Sequence, residues 1–174
     1  KYDAFGNILS RSTSEGGPPL FEIERDQVGR MIKNTFGQNS FLYGHDQPLD
    51  ANNPLSLSNQ KGRLSWVKFN NKLIRQNSYN KMGVINKELL GIGNAVVTLG
   101  YVHDIMGNII RETLDDGTGI HYEYNNINQL KKVSIQLPGH EELITLRTYD
   151  YDNWGRVSSI KIGDKNEIRF GYEE

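Results

Sequence analysis

The chain of 174 residues contains no cysteine. Disulfide frameworks, thiol nucleophiles and thiolate metal sites are therefore excluded, while the redox compartment stays open. It also lacks an excess of either charge: 20 Lys and Arg face 21 Asp and Glu, for a formal net charge of −1. A nucleic-acid binder would show a basic patch or stripe, and that balance argues against one. Nor is there an acidic solvating tail. Apolar runs are short, Ala95-Val96-Val97 among the longest. A bilayer span needs roughly 18–20 consecutive apolar residues, so no membrane insertion is expected of this segment. Lys1-Tyr2-Asp3 opens without the apolar stretch of a signal peptide. Alanine is scarce and helical periodicity is nowhere sustained.

What is abundant points to β structure. There are 18 glycines and 9 tyrosines, with many asparagines. Asn, Gly and Asp form turns, whereas Tyr, Ile, Val and Thr suit strands. The chain also repeats itself on the pattern Tyr-Asp-x-x-Gly-Asn/Arg-apolar. Tyr2-Asp3-Ala4-Phe5-Gly6-Asn7-Ile8 and Tyr151-Asp152-Asn153-Trp154-Gly155-Arg156-Val157 fit it fully. Looser copies start at Arg25-Asp26, Ser58-Asn59, Tyr79-Asn80, His103-Asp104 and Tyr124-Asn125. The starts at 2, 25, 58, 79, 103, 124 and 151 are 23, 33, 21, 24, 21 and 27 residues apart.

Each constant position has a physical reason. The Asp or Asn side chain can accept hydrogen bonds from backbone N–H groups just ahead and nucleate a turn. The glycine can take positive φ freely, and Asn128, its replacement in one copy, is the next-best residue for that conformation. The flanking aromatic and apolar residues can pack across strands.

Between the motifs the chain reads as hairpins. Ile109 to Leu114 is strand-like, a turn follows over 115–119, and Ile120, Tyr122 and Tyr124 then alternate with His121 and Glu123. Val133, Ile135 and Leu137 alternate up to Pro138-Gly139. Ile160 and Ile162 precede a turn at Gly163, after which Ile168, Phe170 and Tyr172 alternate. Leu64 to Phe69 meets Asn70-Asn71, a tight hairpin turn. Ser12 to Pro19 reads as an exposed loop, and residues 44–58 as an insertion at a hairpin tip that accounts for the 33-residue spacing. Uncapped repeats at both ends lead to the expectation of a fragment of a longer protein that tends to associate, against which a clean monomer in solution scattering would count.

The motifs resemble the YD repeats of Rhs proteins, teneurins, bacterial wall-associated proteins and the B–C components of Tc toxins, over essentially the whole chain. The resemblance implies an all-β array of antiparallel β-hairpins over residues 1–174, about seven repeats forming a segment of a curved or spiralling β-sheet shell. It also implies a secreted or cell-surface setting. Its partners would be neighbouring repeats of the parent chain and, in bacterial members, an encapsulated C-terminal toxin polypeptide. In teneurins the same architecture belongs to an adhesion receptor, which makes an extracellular carbohydrate-binding or cell-adhesion module the alternative. Bacterial members often close the shell with a self-cleaving Asp-Pro-x-Gly-type segment. No Asp-Pro pair occurs here, so no autoproteolytic residue is assigned.

Other chemistry finds little footing. His45, His103, His121 and His140 have no histidine partner at metal-binding spacing, and His103-Asp104 sits where Tyr-Asp sits elsewhere. Asp115-Asp116-Gly117 and Asp150-Tyr151-Asp152-Asn153 read as turn chemistry, not as a calcium loop. Gly91-Ile92-Gly93 lacks the third glycine and the helix of a phosphate loop. Ser10, Ser12 and Ser14 lie outside any nucleophile elbow. Glu141-Glu142 and Glu173-Glu174 carry no glycosidase geometry that sequence can supply. Tyr101, Tyr122, Tyr124, Tyr149, Tyr151, Trp66 and Trp154 could stack against sugars, though cross-strand packing accounts for them better. The expectation is a non-catalytic scaffold with no catalytic, cofactor-binding or metal residue and no cofactor.

Overall fold

The computed structural model describes residues 1–47, 59–163 and 165–173. These form fourteen strands and no helix. The strands follow one another in a single open antiparallel sheet whose spatial order is the chain order. The all-β array of hairpins expected from the repeats is what the chain forms. Two compact units divide it, residues 1–98 and 99–174.

The first unit holds β1 (Ser10–Ser12), β2 (Pro19–Arg25), β3 (Met31–Phe36), β4 (Asn39–His45), β5 (Leu64–Phe69), β6 (Lys72–Tyr79) and β7 (Ile85–Ile92). The boundary falls within β8 (Ala95–His103). The second unit continues with β9 (Ile109–Thr113), β10 (Gly119–Tyr124), β11 (Leu130–Gln136), β12 (Leu143–Tyr151), β13 (Val157–Ile162) and β14 (Asn166–Arg169). Leu137 lies just past β11, and Phe170 and Tyr172 lie past β14, so these runs end earlier than the alternation suggests.

In the second unit the period-2 pattern sorts side chains onto two faces. Ile120 pairs with Ile135 and Ile135 with Ile144, while Tyr149, Ile160 and Ile168 line up in the same way. The opposite face carries His121, Ser134 and Thr145, then Glu123, Lys132 and Thr148. The apolar face is only half covered, with Ile144 and Ile168 each 47% exposed. Burial comes instead from neighbours within the sheet, which favours small and polar residues: Ser134, Ser159 and Thr118 are buried.

The first unit has the same character. Among the described residues the buried hydrophobic side chains are Tyr79 and Leu89, and they sit beside buried Ser65, Gln76, Asn77, Ser78 and Glu88. Glu88 is charge-paired with Arg75, which also donates to Asn77 Oδ1 at 2.9 Å. One face of β3–β5 carries an aromatic cluster, with the Phe41 ring tilted against Phe69 at 5.0 Å and against Phe36 at 5.9 Å. On the other face Trp66 lies directly across Gly44, where any Cβ would sit inside the indole ring.

The long repeat needs a correction. Asn59 does not head its turn; Asp46 does. The Asp46 N–H donates to Arg63 O at 3.2 Å, and Asp46 Oδ1 accepts from the Gly62 N–H at 2.5 Å. His45 pairs with Leu64 just as Tyr79 pairs with Ile85. The motif is therefore His45-Asp46 followed by Gly62-Arg63-Leu64, with the insertion inside the turn itself. Of the insertion expected over 44–58, residues 48–58 lie outside the described residues. Residues 59–63 fold back on β6, where Asn59 Nδ2 donates to Tyr79 O at 2.9 Å and Gln60 Nε2 to Asn77 O at 3.0 Å.

Candidate functional site: the stitched turn rim

The repeat motif builds one turn several times over. In the copy at Asp152 the Gly155 N–H donates to Asp152 O (3.0 Å) and the Asp152 N–H to Arg156 O (2.9 Å). Gly155 has φ +79°, as a turn followed by a left-handed residue requires. Asp152 Oδ1 accepts from the Trp154 and Arg156 N–H groups, both at 2.9 Å. Asp3, Asp26, Asn80, Asp104 and Asn125 repeat this geometry.

The residue after the glycine completes it. Where the turn is headed by a carboxylate, that residue is a donor: Asn7, Arg30, Asn108 and Arg156 each bond the second carboxylate oxygen at 2.7–2.9 Å. Where an amide heads it, Gln129 accepts from Asn125 Nδ2, or Val84 makes no such bond. This accounts for Asn or Arg in the motif. The carboxyls are held below their ordinary range accordingly. At Asp3 and Asp104 the side-chain bond from the asparagine is the main cause. At Asp26 and Asp152 burial pushes the other way, and the arginine and backbone bonds outweigh it. Asp46, bonded by Arg30 and then by the Gly62 N–H, falls to about 2.

A second set of bonds ties five of the repeats to the one before, those at Arg25 and His103 being the exceptions among the described residues. The hydroxyl of Tyr79 donates to Leu64 O (2.6 Å), Tyr124 to Ile109 O (3.0 Å), Tyr151 to Leu130 O (2.7 Å) and Tyr172 to Val157 O (2.8 Å). His45 Nε2 reaches Met31 O at 3.0 Å in the same place. Each acceptor is the apolar residue that follows the preceding turn. Neighbouring turns are also joined sideways. Asn108 Nδ2 bonds Asn128 Oδ1 (2.6 Å) and Gln129 Nε2 bonds Gly155 O (3.0 Å) in the second unit, while Arg30 bonds Asp46 (2.7 Å) in the first. Sequence reasoning gave the tyrosines a packing role and missed these bonds.

The other singled-out residues are scattered. His121 contacts Gln136 (3.2 Å) on β10, while His103 ends β8 with its Nδ1 buried and unbonded. His140 sits in the turn after β11, where its carbonyl accepts from Gln136. Asp116 caps its turn through the Thr118 N–H at 2.8 Å, and Gly91 closes against the Leu73 backbone. No group of three or more potential metal-ligating side chains occurs among the described residues. Of the Glu173-Glu174 pair, Glu174 lies outside them. Tyr122 and Tyr124 do meet in a cleft. It is open, about 490 Å³, and Asp104, Met106, Asn125 and Asn126 also line it. Trp154 stands alone at a turn tip, and Trp66 is occupied by Gly44 and by Lys68, 5.4 Å over its ring.

No protein-family model matches the chain, and no curated protein matches it. Solved structures do. The crystal structure of TcdB2-TccC3 without its hypervariable C-terminal region aligns with a TM-score of 0.54 at 13% identity, over 91% of this chain and 10% of that one. Crystal structures of TcdB2-TccC3 and of TcdB2-TccC3-Cdc42 align with a TM-score of 0.55 at the same identity and coverage. This chain spans about a tenth of the length of each. What it shares with them is the fold, a long antiparallel sheet of consecutive hairpins.

Proposed function

We propose that this chain is a non-catalytic wall segment of a larger, secreted or cell-surface YD-repeat protein, whose β-sheet shell encloses a polypeptide cargo such as a C-terminal toxin. One observation carries the proposal: at five successive or near-successive repeats a side chain whose position the motif specifies, His45, Tyr79, Tyr124, Tyr151 or Tyr172, bonds the repeat to its predecessor. A wall needs this lateral continuity, and a catalyst does not. The likeness in fold to TcdB2-TccC3 supports the same reading, because the motifs resemble those of Tc toxin B–C components. The mechanism is steric. Backbone ladders close the sheet, turn and tyrosine bonds hold its register, and the cargo is kept from solvent and from other chains.

Sequencing the coding DNA on both sides of this segment tests the proposal. Further repeats followed by an Asp-Pro-x-Gly segment and an unrelated C-terminal domain are expected. A membrane span with adhesion domains, and no enclosed C-terminal domain, would instead favour an adhesion module. The alternative, a carbohydrate-binding module, is favoured by one feature: the cleft where two tyrosines face carboxamides and a carboxylate. A wall segment should pass unretained over immobilised glycans, and retention lost on Tyr122→Ala would favour the module instead.

A further inference from the structure

The cleft between the turns at Asp104 and Asn125 is rich in acceptors and poor in side-chain donors. Its walls include Tyr122, Tyr124, Met106 and Ile110, and at about 490 Å³ it has the volume of a small-ligand site. Both tyrosine hydroxyls are spent, on Glu112 Oε2 (3.2 Å) and on Ile109 O (3.0 Å), so the tyrosines offer the cleft their rings. Carboxamide donors are spent as well. Asn125 Nδ2 donates to Gln129 Oε1 and Asn128 Nδ2 to Asn108 Oδ1, which leaves Asn126 as the carboxamide in the lining that no bond occupies among the described residues. Acceptors are left over. Asp104 Oδ1 takes the Met106 and Asn108 N–H groups, but Asp104 Oδ2 takes the Asn108 carboxamide alone and keeps a lone pair free. The unpaired charge is of one sign. Asp104 is bonded by neutral groups and its carboxyl is held below the ordinary range, so it is an anion at neutral pH. Glu112, which accepts the Tyr122 hydroxyl, has no cationic partner among the described residues, whereas Glu123 is paired with Lys132 at 2.7 Å. No Lys, Arg or His lines this cleft; Lys131 lines the neighbouring one.

We propose that this cleft binds an organic cation, an ammonium or guanidinium group carried on an apolar stem. Such a group only donates, which matches a lining with acceptors to spare and almost no free donor. Its charge is met by Asp104, its stem by Met106 and Ile110, and the two tyrosine rings attract it at distances within about 6 Å. A neutral sugar would need donors for its own oxygens, and those in the lining are taken. A hard divalent ion would need a cage of about six oxygens, where rings and aliphatic carbon form much of this wall. The same chemistry has two sources, a Lys or Arg side chain of a polypeptide and an amino sugar. The inference shares its cleft with the carbohydrate reading, of which the amino sugar is one form, and stands apart from the wall proposal.

NMR titration of the isotope-labelled full chain tests it with charged and uncharged probes of like shape. n-Butylammonium chloride should shift the amides of residues 104–108 and 122–128 saturably. n-Butanol should bind at least about tenfold more weakly, the effect of one charge-assisted hydrogen bond. Nα-acetyl-lysine methylamide and glucosamine distinguish the sources, the tighter of the two naming the ligand. Asp104→Asn keeps the turn, as Asn80 and Asn125 show, and removes the charge. It should weaken butylammonium binding at least about tenfold, whereas Glu141→Gln, the same change of charge between β11 and β12, should leave it as in the wild type. Added salt should also weaken it, and circular dichroism checks that each variant is folded. The proposal is overturned if butylammonium does not saturate, or if Asp104→Asn binds it like the wild type. It is also overturned if n-butanol or N-acetylglucosamine binds as tightly as its charged counterpart. N-acetylglucosamine binding without a charge preference would return the cleft to the plain carbohydrate reading. The absence of all binding would remove both readings of the cleft and leave the wall proposal untouched.

Discussion

A tyrosine and a phenylalanine differ by one oxygen, and at four positions here that oxygen joins one repeat to the previous one. Tyr151 reaches back to Leu130 O at 2.7 Å from a half-buried position at the end of β12. Tyr151→Phe keeps the ring and its packing but removes the donor. A net hydrogen bond contributes about 0.5–1.5 kcal/mol, and the deserted carbonyl puts the loss toward the upper end. Urea denaturation should show a lower midpoint with an unchanged slope; an unchanged midpoint would mean that the hydroxyl is immaterial. Gly155 supplies a second residue-scale prediction. Its φ of +79° is a region that a Cβ disfavours, and that Cβ would also crowd Gln129 Nε2 at 3.1 Å, the donor to Gly155 O. Gly155→Ala should therefore cost about 1–2 kcal/mol by the same denaturation measurement.

At the scale of the element, the turn is an acid-sensitive clip. Asp3, Asp26, Asp46, Asp104, Asp116 and Asp152 all have carboxyls held below the ordinary value of 3.8. A carboxyl lowered in the folded state stabilises the fold above its unfolded pKa and loses that contribution as pH falls through the folded value. Stability should thus hold down to about pH 4 and decline below it, with the Asp46 contribution going last, near pH 2. Thermal melts across this window measure the decline. Asp104→Asn keeps the acceptor for the turn N–H groups, as Asn80 and Asn125 do naturally, and removes one titrating group. Its melting temperature should fall less steeply with acid than that of the wild type. An identical slope would show that this carboxylate does not couple to folding.

The turn was legible in the sequence because everything it uses lies within five residues, from Asp152 to Arg156. The same holds for Asn70-Asn71, whose φ values of +45° and +66° give the tight hairpin expected there. The bonds between repeats were not legible, because their span follows hairpin length: 14 residues from His45 to Met31, 15 from Tyr124 to Ile109 and 21 from Tyr151 to Leu130. The long repeat misled for a related reason. Asn59 fits the local pattern, whereas the residue that heads the turn, Asp46, is 16 positions from Gly62. Burial misled as well. Alternation marks which residues share a face, but with one layer the deepest positions fall to Ser65, Gln76 and Ser134 and not to the isoleucines.

For the molecule as a whole, these features make stability local. A sheet whose order is its chain order gives each hairpin only its sequence neighbours as partners, so energy should pass between adjacent repeats and fade beyond them. Hydrogen exchange can follow this directly. Tyr151→Phe should raise exchange at the amides of β11 to β13, where the bond to Leu130 and its flanking ladders lie, because local opening costs less than global unfolding. Gly44→Ala should do so in β4 and β5, where the new Cβ displaces Trp66. Each change should leave amides of the other unit at wild-type rates, and the double variant should lose the sum of the two stability changes, as independent sites do. A uniform rise throughout the chain after either substitution would instead describe a single cooperative block. The tyrosine bonds would then be one contribution to global stability, without the role of joints between semi-independent repeats.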